Sequence, residues 1–160
     1  MGYILFLDDV RRPRDMGRWF IEHTSVLRRE DGTLSTLNMR PQTLVSYWET
    51  LRTSIESSRG LELMVAKNYA EFQCILEDHG LPALVSLDHD LCEEHYVDGF
   101  QGEAKTEGYK EKTGYDCALL LAEKIKAELP AEAHIYVIYH SMNPAGRQNM
   151  QAAIAAIGEH

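Results

Sequence analysis

The chain has 160 residues, 44% hydrophobic and 26% charged, which is enough apolar content for one domain (1–160) with a real core in a soluble protein. Its formal net charge of −9 argues against an extended nucleic-acid surface, because such binding runs on counterion release from basic patches. No apolar run reaches membrane-spanning length, no basic start marks a signal peptide, and Cys74, Cys92 and Cys117 stand far apart. That spacing suits a reducing cytoplasm rather than a disulfide framework or a thiolate zinc site, and Cys74 and Cys117 are expected as buried thiols.

Tyr3-Ile4-Leu5-Phe6-Leu7 is a β-rich apolar run that stops at Asp8-Asp9, a first strand with acid at its carboxyl end. A basic cluster follows at Arg11, Arg12, Arg14 and Arg18, which is either a phosphate contact (Arg11 first) or a solvated loop. Residues 20–60 form an insertion. Asp31-Gly32 predicts a hairpin turn within Phe20–Asn38, and Leu44, Trp48, Leu51 and Ile55 predict an amphipathic helix over Pro41–Ser57. The insertion is expected as a helical or hairpin subdomain packed beside the sheet.

Leu61–Ala66 is a second strand ending at Lys67, and Asn68 with Glu71 predicts a helix start that Gly80-Leu81-Pro82 ends. Leu84-Val85-Ser86-Leu87 reads as a strand buried on both faces that runs into Asp88-His89-Asp90. Residues 92–112 are a long acidic loop of the kind that is either a lid or disordered. Thr113 with Asp116 opens another helix, with Leu120, Leu121, Ile125 and Leu129 for the core. His134–Tyr139 is a fourth strand ending at His140-Ser141, and Asn143-Pro144 starts the last helix. Strand and helix alternate four times. The expectation is an α/β fold with an open parallel sheet of about four strands and helices on both faces.

In such a sheet the strand carboxyl ends share one rim, where ligands bind. That rim would carry Asp8, Asp9, Lys67, Asp88, Asp90, His140 and Ser141. Asp88 and Asp90 point the same way if the chain stays extended, and His89 points opposite. With Asp8 or Asp9 they make a hard oxygen site suited to Mg2+ or Mn2+. His140 is a candidate general acid, although a hydrogen-bonded core histidine reads the same way. Ser141, Asn143 and the free N–H groups of the last helix form an anion-binding terminus, with Arg147 one turn in and Lys67 as a further cation. Metal, anion site and proton donor together point to phosphoryl chemistry.

Leu5-Phe6-Leu7-Asp8-Asp9-Val10-Arg11 with Pro13, Ser86-Leu87-Asp88-His89-Asp90-Leu91, Thr113-Gly114-Tyr115-Asp116 and His140-Ser141-Met142-Asn143-Pro144-Ala145-Gly146-Arg147 together resemble the cyclic-phosphate-processing receiver-like family. This is a divergent branch of the response-regulator receiver (flavodoxin-like) fold, proposed to act on cyclic phosphates at RNA ends. The resemblance implies that Asp8 and Asp9 are the receiver acidic pair and Asp88 its phosphoacceptor aspartate, with Ser141 in place of the fourth-strand hydroxyl. Ordinary receivers also carry a lysine after a fifth strand. Only four strands are read here, so His140, Arg147 or Lys67 would have to supply that cation.

The reading is a Mg2+- or Mn2+-dependent phosphoesterase or phosphotransferase. Asp9, Asp88, Asp8 and Asp90 are its metal candidates, and Asp88, Asp9 and His140 its catalytic ones. Its substrate would be a small phosphorylated ligand or an RNA 3′ end bearing a 2′,3′-cyclic phosphate. One alternative is a non-catalytic receiver-like module that binds metal and phosphate and signals to a partner. Another is a metal nuclease resembling the topoisomerase–primase domain, although that domain wants a glutamate where Asp8-Asp9 stand.

Overall fold

The computed structural model describes residues 2–9, 18–19, 22–39, 45–46, 62–91, 112–141 and 143–158. Its elements are β1 (Tyr3–Leu7), β2 (Arg18–Trp19), β3 (Glu22–Arg28), β4 (Leu34–Met39), β5 (Val45–Ser46), β6 (Glu62–Ala66), α1 (Tyr69–His79), β7 (Leu84–Leu87), α2 (Gly114–Glu128), β8 (His134–Tyr139) and α3 (Pro144–Ala155).

The main sheet has six strands in the order β4-β3-β8-β7-β1-β6, not the expected four. Strands β6, β1, β7 and β8 are parallel, with Phe6 opposite Ser86 and Ser86 opposite Ile138. The additional two come from the insertion. Its first half does form the hairpin predicted around Asp31-Gly32, but β3 pairs antiparallel with β8 and so extends the sheet itself. The physical reason is the open edge of β8: an unpaired row of backbone donors and acceptors is best satisfied by another strand. In the second half, Val45–Ser46 is extended and pairs with Arg18–Trp19 in a separate two-stranded sheet, where a helix had been expected. The rest of the predicted helix, residues 41–44 and 47–57, lies outside the described residues, as does 92–111 of the acidic loop.

Strand alternation sends Leu5, Leu7, Val85, Leu87, Val137 and Tyr139 into one core with Phe72 and Leu76 of α1, Leu121 and Ile125 of α2, and Met150 and Ile154 of α3. Each such aliphatic side chain contributes about 1.5–3 kcal/mol by leaving water. All three described helices therefore lie on one face, and Ile4, Phe6 and Ser86 on the other are fully buried as well. Cys117 is buried as expected, and burial pushes its thiol well above the usual range, so it is an inert core residue. Cys74 is exposed instead, because Phe72 and Leu76 take the inward positions of α1 and leave position 74 outside.

The helix caps read from sequence are present. Asn68 accepts from the Glu71 backbone, Thr113 and Asp116 form a reciprocal capping box, and Asn143 accepts from Gly146 with Pro144 in the first turn. The hairpin is latched to the far end of α2 by Arg28, whose guanidinium donates to the carbonyls of Leu129, Ile125 and Lys126, and to Gly32. Lys126 and Leu129 are at the helix C-terminus, where carbonyls run out of intrahelical partners, Ile125 O is shared with the Leu129 N–H, and a cation there also meets the negative end of the helix dipole.

Tyr3 ties the start of β1 to the end of α1 through a 2.6 Å bond from its hydroxyl to the Gly80 carbonyl. Burial raises its pKa from 10.0 to about 12. The fold thus favours the neutral phenol, a contribution fully present below pH 10 and lost as pH climbs from 10 toward 12. Tyr3→Phe is expected to cost about 1 kcal/mol at pH 7 for the lost bond and to flatten that alkaline loss. Urea unfolding at pH 7, 10 and 11 measures both; an equally steep decline in Tyr3→Phe would refute the assignment.

Candidate functional site

Three rim residues are placed by the sheet ladder itself, which runs one residue past the strands. The Asp8 N–H donates to Ala66 (3.0 Å), the Asp88 N–H to Leu7 (3.1 Å) and the His140 N–H to Leu87 (2.9 Å). The register thereby sets Asp88 beside His140, with Ser141, to which the resemblance gave the place of the fourth-strand hydroxyl, one residue further on. Asp8, Asp88 and His140 are all buried, and one ligand atom from each lies within 4.8 Å of the others.

The His140 ring reaches back over the middle strand. Its Nε2 is 3.0 Å from Asp8 Oδ2 and its Nδ1 is 2.8 Å from Ser86 Oγ. Phe6 stacks on it, centroids 4.7 Å apart and planes within 5°. The local sequence explains this layout. Phe6 and Asp8, Ser86 and Asp88, and Ile138 and His140 are i, i+2 pairs on one face of three adjacent strands. Two carboxylates and an imidazole at this spacing form a donor set that a divalent cation fits, with one nitrogen in place of an oxygen.

A second polar group sits at the start of α3. Asp90 Oδ1 lies 2.9 Å from His89 Nδ1 and accepts from Asn143 Nδ2 at 3.3 Å. Strand β7 has ended by Leu87, so the extended alternation that would aim Asp90 alongside Asp88 does not continue, and Asp90 falls outside the three-residue group. The His89 ring packs against Gly146, where a Cβ would stand 2.4 Å from its Cγ. Among the described residues its Nε2 has no hydrogen-bond partner. Ser141 Oγ accepts from the Asn143 backbone at 3.1 Å, and Arg147 Nη1 donates to the Ser141 carbonyl at 2.9 Å.

Of the other residues singled out from sequence, Asp9 is half-buried beside Asp8 without belonging to the three-residue group, and Lys67 is exposed at the end of β6. Arg11 lies outside the described residues. Where ordinary receivers place a lysine after a fifth strand, the antiparallel β3 brings Glu22 opposite Tyr139 at the rim. Among the described residues, His140 rather than Lys67 or Arg147 is the potential cation hydrogen-bonded to Asp8.

Sequence reasoning passed over Ser86 and Phe6 as members of an apolar run, and Gly114 as a simple helix start. A small polar residue inside a four-residue buried strand, two before an aspartate, was the available signal for Ser86. Gly114 is needed for space. A Cβ there would lie 1.9 Å from the Asp88 carbonyl oxygen, and its N–H donates to His89 O at 2.8 Å.

A mostly parallel α/β sheet with acid at the ends of its first and middle strands defines a receiver-like domain. The chain belongs to the cyclic-phosphate processing receiver domain family, whose family model matches residues 3–156. No curated protein and no solved structure matches it. Among the described residues, no helix is long and apolar enough to cross a membrane.

Proposed function

We propose that this chain is a divalent-metal-dependent phosphoesterase that opens 2′,3′-cyclic phosphates, on small nucleotides or at RNA 3′ ends. The observation that carries the reading is the buried Asp8–Asp88–His140 group in a chain of a cyclic-phosphate processing family. These three residues would hold Mg2+ or Mn2+, which when bound offsets phosphate charge and lowers the pKa of water. Replacing a carboxylate by the His140 imidazole moves the preference from Mg2+ toward Mn2+, since imidazole suits transition metals better.

The chain's own residues supply the rest. The positive end of the α3 dipole favours an anion, although the Asn143 and Gly146 N–H groups there are taken by Ser141 Oγ and Asn143 Oδ1, and Arg147, held against Ser141, adds a guanidinium that grips a phosphate better than a lysine point charge. Hydrolysis adds water across one ester bond to phosphorus, so the freed ribose oxygen takes a proton. The His140 Nε2 can serve as ligand or as proton donor, one at a time.

Two measurements test the proposal. Saturating Mn2+, at about 100 times its Kd, should stabilise the protein by about 2.7 kcal/mol, a melting-temperature rise of roughly 5–10 °C, and at lower concentration than Mg2+. In the same buffers, 31P NMR should show 2′,3′-cyclic AMP and a cyclic-phosphate-ended RNA converting to monoesters, with EDTA stopping the reaction. Substrates left intact with either metal would overturn it, and stabilisation by cyclic nucleotide without turnover would point instead to a binding module.

A further inference from the structure

We propose that Ser86 is a positioning residue whose hydroxyl selects the tautomer of His140, and so decides whether His140 joins Asp8 and Asp88 as a metal ligand. The inference rests on the metal-centre reading above and goes beyond it in naming how the site changes state.

A neutral imidazole has one N–H and one lone pair. Among the described residues, the ring nitrogens of His140 face Ser86 Oγ at Nδ1 and Asp8 Oδ2 at Nε2. Two arrangements follow. In the first, Ser86 donates its hydroxyl proton to Nδ1 and Nε2–H donates to Asp8; the ring then has no lone pair toward the acidic group. In the second, Nδ1–H donates to Ser86 and the Nε2 lone pair faces the Asp8 carboxylate. Two acceptors 3.0 Å apart repel unless a cation draws both. The first is the metal-free state, and the second is the state that holds a metal.

The two states carry the same number of protons, so His140 releases none on exchange. What changes is the direction of the Ser86 hydrogen bond. A hydroxyl can reverse it by rotating about its C–O bond, whereas a carbonyl or carboxylate, the usual partner of a metal-bound histidine, only accepts and would lock the second state. Phe6, stacked within 5° of the ring, keeps the imidazole plane constant while the proton changes sides. Ser86 is itself fully buried on the middle strand, two residues before Asp88, so the reversal takes place away from bulk solvent.

The test uses the full chain. In 15N NMR of His140, the metal-free wild type should show the Nε2–H tautomer, and Zn2+ or Mg2+ should convert it to Nδ1–H. Ser86→Ala should weaken Mn2+ binding by calorimetry about 10–100-fold, the usual loss when the outer partner of a ligating histidine is removed. Ser86→Thr, which keeps the hydroxyl, should recover most of the affinity. The same tautomer with and without metal, or Mn2+ binding in Ser86→Ala within twofold of wild type, overturns the role of Ser86 and leaves the metal centre standing. Should the wild type bind no Mn2+ at all, the metal-centre reading fails and this inference with it. If Ser86→Ala does not fold, the wild-type tautomer spectra still decide.

Discussion

Asp88→Asn is expected to weaken Mn2+ binding and cyclic-phosphate turnover by at least about a hundredfold, more than an outer-partner loss, while raising the melting temperature of the metal-free protein. Both effects come from the same geometry. Asp88 and Asp8 are buried with ligand oxygens inside a 4.8 Å group, an arrangement that favours a cation and disfavours two neighbouring anions. Two unit charges at that spacing repel by about 3.5 kcal/mol at an effective dielectric of 20, and the hydrogen bond between His140 Nε2 and Asp8 offsets part of this. Removing one charge while keeping its shape should therefore stabilise the metal-free fold by about 1–3 kcal/mol, a few degrees for a domain of this size. Stability and function thus move in opposite directions, as expected where a site is held together for its chemistry. Calorimetry with and without Mn2+ measures both. A lower melting temperature together with unchanged Mn2+ affinity would refute the account.

Gly114→Ala should destabilise the protein by about 3 kcal/mol and weaken metal binding as well. Helix propensity alone predicts the opposite, since alanine in a helix is worth about 1 kcal/mol over glycine. The added Cβ, however, meets Asp88 O at 1.9 Å, with Asp88 C and His89 Cα both at 2.8 Å. These are backbone atoms that cannot swing aside. The start of α2 must retreat, giving up the Gly114–His89 bond, worth about 1 kcal/mol, with overpacking strain of about 1–3 kcal/mol beside it. Because the clash falls on Asp88 itself, the displacement reaches the site. Gly146→Ala meets the His89 ring instead, a side chain able to shift, and should cost less. Urea unfolding orders the three proteins; a Gly114→Ala variant as stable as wild type would mean that propensity outweighs the contact.

Much of this was legible before any coordinates. Strands ending in Asp8-Asp9, Asp88 and His140 were marked by apolar runs meeting polar residues, and the helix starts by Asn68, Thr113 and Asn143, because both signals depend on residues only a few positions apart. The hairpin turn at Asp31-Gly32 was visible for the same reason. The place of that hairpin was not: pairing Glu22 with Tyr139 joins residues 117 apart in sequence, and no local pattern specifies which sheet edge a strand will complete.

Within the site the same division holds. Sequence alone determined the chemistry at the rim (carboxylates on two strand ends, an imidazole on a third, a capped helix terminus beside them), since residue type and strand parity suffice for that. Only the tertiary structure decided the membership of the group. Asp90 leaves it because β7 ends at Leu87 and the alternation stops, while His140 enters it because three parallel strands in register let its ring span from Ser86 to Asp8. Side-chain direction past the end of a strand, and contact between strands distant in the chain, are set by packing, and packing is not written at any single position.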